Sequence, residues 1–229
     1  MHVRAIATVA SVSLALASPA FAQSRGWYAG IAAGVSRTGS ELVDNRESTI
    51  TLAQDIHTNF DANGDAWKVF GGYRVNDMVA LEASYADLGS HHMKTELLGG
   101  DPPLPASTEI RRKISGFGAD LVLTAPFGRR FAVFGALGAF RSHLEASAAL
   151  EGNIVFIPGD PSERSRTTTR DETVTHYGAG AEWMFAGATS LRIEWERYAK
   201  VGKPFAVGGT GTTGQADTDL YSIGLVHRF

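Results

Sequence analysis

The sequence contains no cysteine among its 229 residues. This absence excludes a disulfide framework, thiol chemistry and a cysteine-ligated metal. Long apolar runs are also missing, because no stretch after residue 22 reaches the roughly 18 consecutive apolar residues that a transmembrane helix needs. Basic residues are too few for a nucleic-acid surface, with 21 Lys and Arg against 24 Asp and Glu.

The first 22 residues have the pattern of a secretory signal peptide. A short basic start containing Arg4 precedes an apolar run that ends at Pro19, and a small-x-small motif closes at Ala22. The run is too short for a membrane anchor. We expect cleavage after Ala22, which leaves an exported domain of residues 23–229. Its formal net charge is −4, from 20 basic and 24 acidic residues, because the peptide carries only Arg4.

The stretch from His176 to Tyr198 alternates with a period of two and predicts two strands joined by a short turn. One face carries Trp183, Ile193 and Trp195, and is apolar and aromatic. The opposite face mixes glycines with charges, at Glu182, Arg192, Glu194 and Glu196. A soluble sheet would bury the apolar face, whereas a membrane barrel would turn it towards lipid. This hairpin alone does not decide between them.

The connections between eight such strands decide the question. Long polar connections at 38–65, 90–110, 142–172 and 200–217 alternate with short ones at 75–78, 125–130 and 186–190. This layout, with aromatic residues near strand ends, is typical of an outer-membrane barrel; those residues are Trp27, Trp67, Tyr73, Tyr85, Trp183 and Trp195. We therefore predict an all-β, eight-stranded antiparallel up-and-down transmembrane β-barrel. The fifth predicted strand, 131–141, is apolar on both faces, so its orientation stays open.

Several motifs resemble the transmembrane domain of OmpA-like outer-membrane proteins, in the same order along the chain. They are Phe70–Asn76, Leu81-Glu82, Gly180–Trp183, Leu191–Trp195 and Ser222–Phe229. The resemblance implies loops outside a Gram-negative cell and turns in the periplasm. It also implies an assembly signal for the barrel-assembly machinery, at Tyr221, Ile223, Leu225 and Phe229. His227 departs from the family's more usual aromatic. The chain stops at Phe229 without the family's peptidoglycan-binding domain, so wall anchoring is not expected.

The barrel interior should hold seven charged side chains, at Lys68, Glu82, Asp120, Glu182, Arg192, Glu194 and Glu196. Buried charges must pair or stay hydrated. The resemblance implies an ion-pair gate to which Glu82, Glu182 and Arg192 correspond. Two of the family's cations are not matched: Asp120 or Val122 stands for its lysine, and Ala136 for its arginine. We hypothesise that Arg192 bridges Glu82 and Glu182; the alternative is a network that simply fills the barrel.

Other motifs do not support a cofactor, metal or enzymatic site. The Gly209-x-Gly211-x-x-Gly214 string lacks the following helix that dinucleotide binding requires. Residues 61–65 depart from a calcium loop in the position of their glycine, and His91-His92 lack further spaced ligands. Four residues near the outer rim could serve in catalysis, but no recognised motif surrounds them: Ser142, His143, Asp171 and His176.

We therefore expect a monomeric barrel embedded in outer-membrane lipids, with a structural and surface-display role. Two other functions remain open. One is a narrow porin-like channel for small solutes or ions. The other is adhesion to an external ligand through loops 38–65 and 142–172.

Overall fold

The computed structural model describes residues 25–39, 53–99, 104–152, 162–202, 205–207, 210–213 and 215–229. The expected signal peptide, 1–22, lies outside these residues, as do 40–52, 100–103 and 153–161 of the expected loops. The described chain contains eleven strands: β1 Gly26–Thr38, β2 Ala53–Asp61, β3 Asn63–Arg74, β4 Val79–Gly99, β5 Leu104–Phe127, β6 Phe131–Gly152, β7 Ser165–Ala186, β8 Thr189–Val201, β9 Phe205–Val207, β10 Thr210–Thr213 and β11 Ala216–Arg228. None of the described segments is a helix long and apolar enough to cross a membrane.

Eight of these strands form a closed barrel. The sheet runs β4-β3-β1-β11-β8-β7-β6-β5, and a β4–β5 pairing joins its two ends. All of these pairings are antiparallel. Closure leaves no unpaired edge within the barrel wall. The predicted fold class is confirmed. Outside the wall, β2 pairs with the outer part of β4, while β9 and β10 form a small separate hairpin.

An apolar belt surrounds the outside of the barrel. Outward-facing Ile31, Leu81, Leu137 and Ile193 are each more than half exposed, as the alternation of the strands predicts. Aromatic contacts border the belt on both sides. At the border next to the short turns Trp27 lies 5.1 Å from Tyr73 and Phe131 lies 6.2 Å from Trp183, between ring centroids. At the outer border the contacts are Trp67–Tyr85, Tyr85–Phe117 and Tyr177–Trp195.

The predicted loop boundaries are wrong at the outer end, because strand structure occurs in all four of the predicted long loops, including β9 and β10 within 200–217. β4 extends to Gly99, β5 starts at Leu104, β6 extends to Gly152 and β7 starts at Ser165. β2 and the start of β3 likewise lie within the predicted loop 38–65. Above the membrane neither face of the sheet meets lipid, so the apolar alternation stops. The backbone hydrogen-bond ladder does not depend on that alternation and continues.

The orientation of the fifth predicted strand, which is β6, is also settled. Phe134, Ala136 and Phe140 point into the barrel and are buried, while Phe131 and Leu137 point outward. This strand is apolar on both faces because its inner residues belong to the packed interior and its outer residues to the lipid belt. Successive side chains of β6 therefore point alternately inward and outward, although the composition of the strand does not reveal which set faces lipid.

Replacing Ile193 with Arg tests the belt. A cation on the lipid face near the bilayer midplane should lower the free energy of unfolding by roughly 2–4 kcal/mol. Thr169→Arg is the matched control, because Thr169 is exposed on β7 above the belt and lies opposite Glu145. Urea titration of the protein folded into vesicles measures both. Equal tolerance of the two arginines would contradict lipid exposure of Ile193.

Candidate functional site

Lys68 lies at the centre of an ionic layer inside the barrel. Its Nζ lies 2.6 Å from Glu194 Oε2 and 2.8 Å from Glu196 Oε1. Lys68 projects from β3, whereas both glutamates project from β8 at successive inward positions. These contacts cross the interior, because β1 and β11 separate β3 from β8 in the wall. The ammonium therefore links opposite sides of the barrel.

Arg192 is the second cation of the ionic layer. Its Nη1 donates to Glu82 Oε2 at 2.8 Å, and its Nη2 donates to Glu194 Oε1 at 2.9 Å. The guanidinium carbon lies 4.7 Å from the ring centroid of Phe70 and 4.1 Å from that of Phe134. Ring faces attract a cation, and this attraction is stronger where water is excluded. Arg192 is therefore held both by carboxylates and by aromatic rings.

His176 extends the layer to Asp120. Its Nδ1 lies 2.8 Å from Asp120 Oδ1, and its Nε2 lies 3.0 Å from Glu196 Oε1. An ionised carboxylate only accepts hydrogen bonds, so both contacts form when His176 carries two protons. The imidazole also stacks on Tyr198 at 4.5 Å between ring centroids. His176, expected at the outer rim, therefore belongs to the interior network.

Two glycines make room for these carboxylates. A Cβ on Gly138 would lie 2.4 Å from Asp120 Oδ1, and one on Gly178 would lie 3.0 Å from Glu196 Cγ. Both would also approach backbone oxygens of the neighbouring strand within 2.6 Å or less. Gly138 on β6 and Gly178 on β7 are thus needed for the close approach of the Asp120 and Glu196 side chains and of the neighbouring strands.

The hypothesis that Arg192 bridges Glu82 and Glu182 is wrong for Glu182. Glu182 lies directly opposite Arg192 in the β7–β8 register, but its carboxylate is bonded to Arg228 of β11. Arg192 turns to Glu194 instead. Arg228 lies next to the C-terminal residue. It is 46 positions from Glu182 in the sequence, so no local sequence pattern connects the two residues. Lys68 and His176 contact the other carboxylates of this network.

Apolar layers cover the ionic layer on both sides. The turn-side layer, at the end of the barrel with the short turns, is clustered around Phe70 and Phe134 and comprises Tyr28, Ala32, Phe70, Ala80, Val122, Phe134, Ala136 and Val226. The outer layer, at the end with the long strand extensions, comprises Ala66, Ala86, Leu88, Ile114, Phe140, Leu144, Val174, Tyr198, Val201 and Leu220. On β3 the order Ala66, Lys68, Phe70 passes through the outer, ionic and turn-side layers in turn. Leu88, Phe140, Tyr198 and Leu220 have no exposed surface at all.

A smaller polar cluster lies inside the wall above the outer apolar layer. His91 Nε2 lies 3.1 Å from Ser36 Oγ, and His91 faces Arg112 across the β4–β5 ladder. Ser36 Oγ donates to the Leu88 carbonyl. Burial, together with the positive charge of Arg112, lowers the pKa of His91 to about 4. His91 is therefore neutral at pH 7. The adjacent His92 points to the opposite face, so the two cannot ligate one ion together.

The remaining catalytic candidates lie on opposite faces of the wall. His143 and Asp171 lie outside, with His143 Nδ1 2.6 Å from Asp171 Oδ1. Ser142 is fully buried on the inner face and donates to the Glu172 carbonyl at 3.3 Å. Ser142 and His143 therefore point away from each other. Within the part of the chain that the structure describes, no group of three or more potential ligands could hold a metal ion.

The four residues of the expected assembly signal share one face of β11. Tyr221, Ile223, Leu225 and Phe229 are each about half exposed or more. His227 lies on the same face, and its ring centroid is 5.2 Å from that of Phe229. The C-terminal end of the chain thus presents a row of mainly apolar side chains on its outward face.

The closed wall, the apolar belt and the filled interior together define a transmembrane β-barrel. Residues 7–229 match the outer membrane protein beta-barrel domain family, and the chain belongs to this family. Its members are barrels of the Gram-negative outer membrane. None of the curated proteins matches the chain.

Three solved structures of bacterial surface and outer-membrane proteins are similar to this chain at low identity. Neisserial surface protein A is 16% identical, with 89% of this chain and 97% of that chain covered and a TM-score of 0.49. OprG from Pseudomonas aeruginosa is 12% identical, with coverages of 91% and 98% and a TM-score of 0.48. The N-terminal barrel of OprF from the same organism is 14% identical, with coverages of 90% and 100% and a TM-score of 0.45.

Arg192→Ala tests the ionic layer. Removing the guanidinium leaves Glu82 without its cation and Glu194 with Lys68 alone, and breaking a buried ion pair costs about 3–5 kcal/mol. The temperature at which the folded band is lost on a gel should fall. Arg197→Ala is the control, since the Arg197–Asp219 pair is partly exposed and worth about 1 kcal/mol or less. An unchanged transition in Arg192→Ala would refute a stabilising role for this side chain.

His91→Gln tests the polar cluster through pH. In the unfolded chain histidine titrates near pH 6.5, whereas in the folded protein burial and Arg112 lower the pKa of His91 to about 4. The unfolded state therefore binds the extra proton first, and stability falls as the pH drops from about 6.5 to about 4. Glutamine does not titrate, so urea unfolding of this variant should depend less steeply on pH in that window. Equal slopes for the two proteins would contradict the prediction.

Proposed function

We propose that this protein is a sealed outer-membrane barrel that supports the envelope and displays a sheet on the cell surface. The sealing of the interior is the observation that carries this proposal. A solute path through the barrel would expose part of every layer that it crosses. The outer apolar layer instead contains side chains with no accessible surface, and the ionic layer beneath it is cross-linked by Lys68 and Arg192.

The surface sheet is the outer extension of β4, β5, β6 and β7, with β2 added at the side of β4. From Leu104 to Gly116, β5 continues for about 40 Å of strand length beyond Phe117. Its inner face stays buried at Thr108 and Ile114, so the extension is packed rather than frayed. The outer face mixes acidic and basic side chains, including Lys94, Glu96, Glu109 and Lys113. This surface supports display, and contact with an external ligand through it follows as a proposal.

The remaining partners follow from the outer surface of the wall. We propose that outer-membrane lipids surround the belt and that the barrel-assembly machinery reads the outward face of β11. Export would precede assembly, with residues 1–22 removed after Ala22. A closed wall without a free edge supports function as a monomer.

Conductance and surface labelling test the proposal together. In planar bilayers the purified protein should show no steady openings, because the two apolar layers exclude water. Steady openings that increase in Arg192→Ala would instead establish a gated channel. The absence of cysteine allows single labelling sites. On intact cells an impermeant maleimide should label Thr169→Cys but label Asp77→Cys, in the β3–β4 turn, only after permeabilisation. The reverse pattern would overturn the orientation.

A further inference from the structure

A row of four polar residues crosses the outer surface of β4, β5, β6 and β7. Asp87 lies opposite Ser115, Ser115 opposite His143, and His143 opposite Asp171 in the register of consecutive strands. The side chains of His143 and Asp171 are both about half exposed, at 52% and 53%. Ser115 shares the outward parity of Phe117 on β5. The last three residues are a serine, a histidine and an aspartate in the order that acyl transfer uses.

The contact between His143 and Asp171 orients the imidazole. Asp171 Oδ1 accepts from His143 Nδ1 at 2.6 Å, which leaves Nε2 as the basic nitrogen. Asp171 lies on one side of His143, and Ser115 lies directly opposite on the other. Directly opposite residues of antiparallel strands have Cβ atoms about 4.5–5.5 Å apart. Ser115 therefore lies beside the imidazole on the side away from Asp171, and the Oγ–Nε2 hydrogen bond that catalysis requires is of the kind that commonly tightens only when substrate binds.

The row lies at the boundary between lipid and headgroups. Phe117, two residues nearer the membrane than Ser115, is 67% exposed and packs on Tyr85 in the outer aromatic border. Two strand residues span about 7 Å, so Ser115 lies just above the apolar belt, where ester bonds join acyl chains to headgroups. Lys113 and Arg141 flank the row. Lys113 Nζ is 3.8 Å from Asp87 Oδ2, and its exposed ammonium can meet an anionic headgroup.

We propose that Ser115, His143 and Asp171 form a hydrolytic site for acyl esters of anionic lipids in the outer leaflet. Ser115 Oγ attacks the ester carbonyl while its proton passes to His143 Nε2. The ester C–O bond then breaks, and the departing alcohol takes that proton. Water next attacks the acyl-serine and passes a proton to His143 Nε2; the bond between the acyl carbon and Ser115 Oγ then breaks, His143 returns the proton to Oγ, and the fatty acid is released. Asp171 is a positioning residue that stabilises the imidazolium, and the flanking cation Lys113 is the group proposed to stabilise the developing oxyanion.

Nothing in the barrel interior requires this row. The exposed His143–Asp171 pair contributes little to stability, as surface ion pairs generally do. Variants of the row should therefore fold normally, and the heat shift of the folded band verifies this for each one. Activity and folding can thus be measured separately, and the outcome is independent of whether the lumen conducts.

The test is fatty-acid release from vesicles that contain the folded full-length protein. One set contains phosphatidylglycerol as its only ester lipid, and a second contains lipopolysaccharide; mass spectrometry shows which is cleaved. Ser115→Ala should reduce release to the uncatalysed rate. Asp171→Asn should lower kcat by about 100-fold or more with little change in KM. Ser147→Ala, an outward serine on β6 that contacts Thr167, is the matched control and should be unchanged.

A fluorophosphonate probe gives a second measurement. It should label the wild type on the peptide containing Ser115 and should fail to label Ser115→Ala or His143→Gln. Labelling of Ser115 with release from either vesicle type establishes the site and its lipid source. Absence of release from both vesicle types, or equal release by wild type and Ser115→Ala, would overturn the proposal.

Discussion

The pairing of Lys68 and Arg192 with Glu82, Glu194 and Glu196 is the interaction on which the interior of this barrel depends. A charge removed from water costs several kcal/mol unless a partner with good geometry compensates it. Two permanent cations here face four carboxylates, once Asp120 is included. His176 meets the two carboxylates at the end of the network and supplies the third positive group when it carries both protons. Glu194 and Glu196 are each shared between two positive groups, so loss of one member would leave others uncompensated.

The apolar layers and the ionic layer need one another. Phe70 and Phe134 exclude water from the turn side of Arg192, and Leu88, Phe140 and Leu220 do the same on the outer side of the network. Excluding water strengthens each ion pair and also raises the cost of breaking one. An interior of eight strands is just wide enough for side chains to fill. The outcome is a packed core with a charged centre.

The outward-facing residues of the wall differ in polarity between the lipid belt and the region above it. Within the belt, outward positions must be apolar, because lipid cannot hydrate a charge. Above Tyr85 and Phe117 the same outward positions become polar, while the β5–β6 register continues without a shift. Reactive polar side chains can therefore occupy the outer surface at the lipid boundary without disturbing the packing of the interior. The row that ends at His143 and Asp171 lies at this boundary.

The sequence by itself determined the fold class and the direction of its faces. Alternation at Glu182, Trp183, Arg192 and Ile193 separates lumen from lipid, because period two is a local property of a strand. Which residues meet was decided only by the tertiary structure. Closure of β11 brings Arg228 to Glu182, and register across three strands aligns Ser115 with Asp171. The full length of β4 to β7 could likewise not be predicted from the sequence. Backbone hydrogen bonding continues beyond the lipid belt, where the alternation of apolar and polar residues ends. Periodicity resides within one strand, whereas pairing joins residues far apart in the chain.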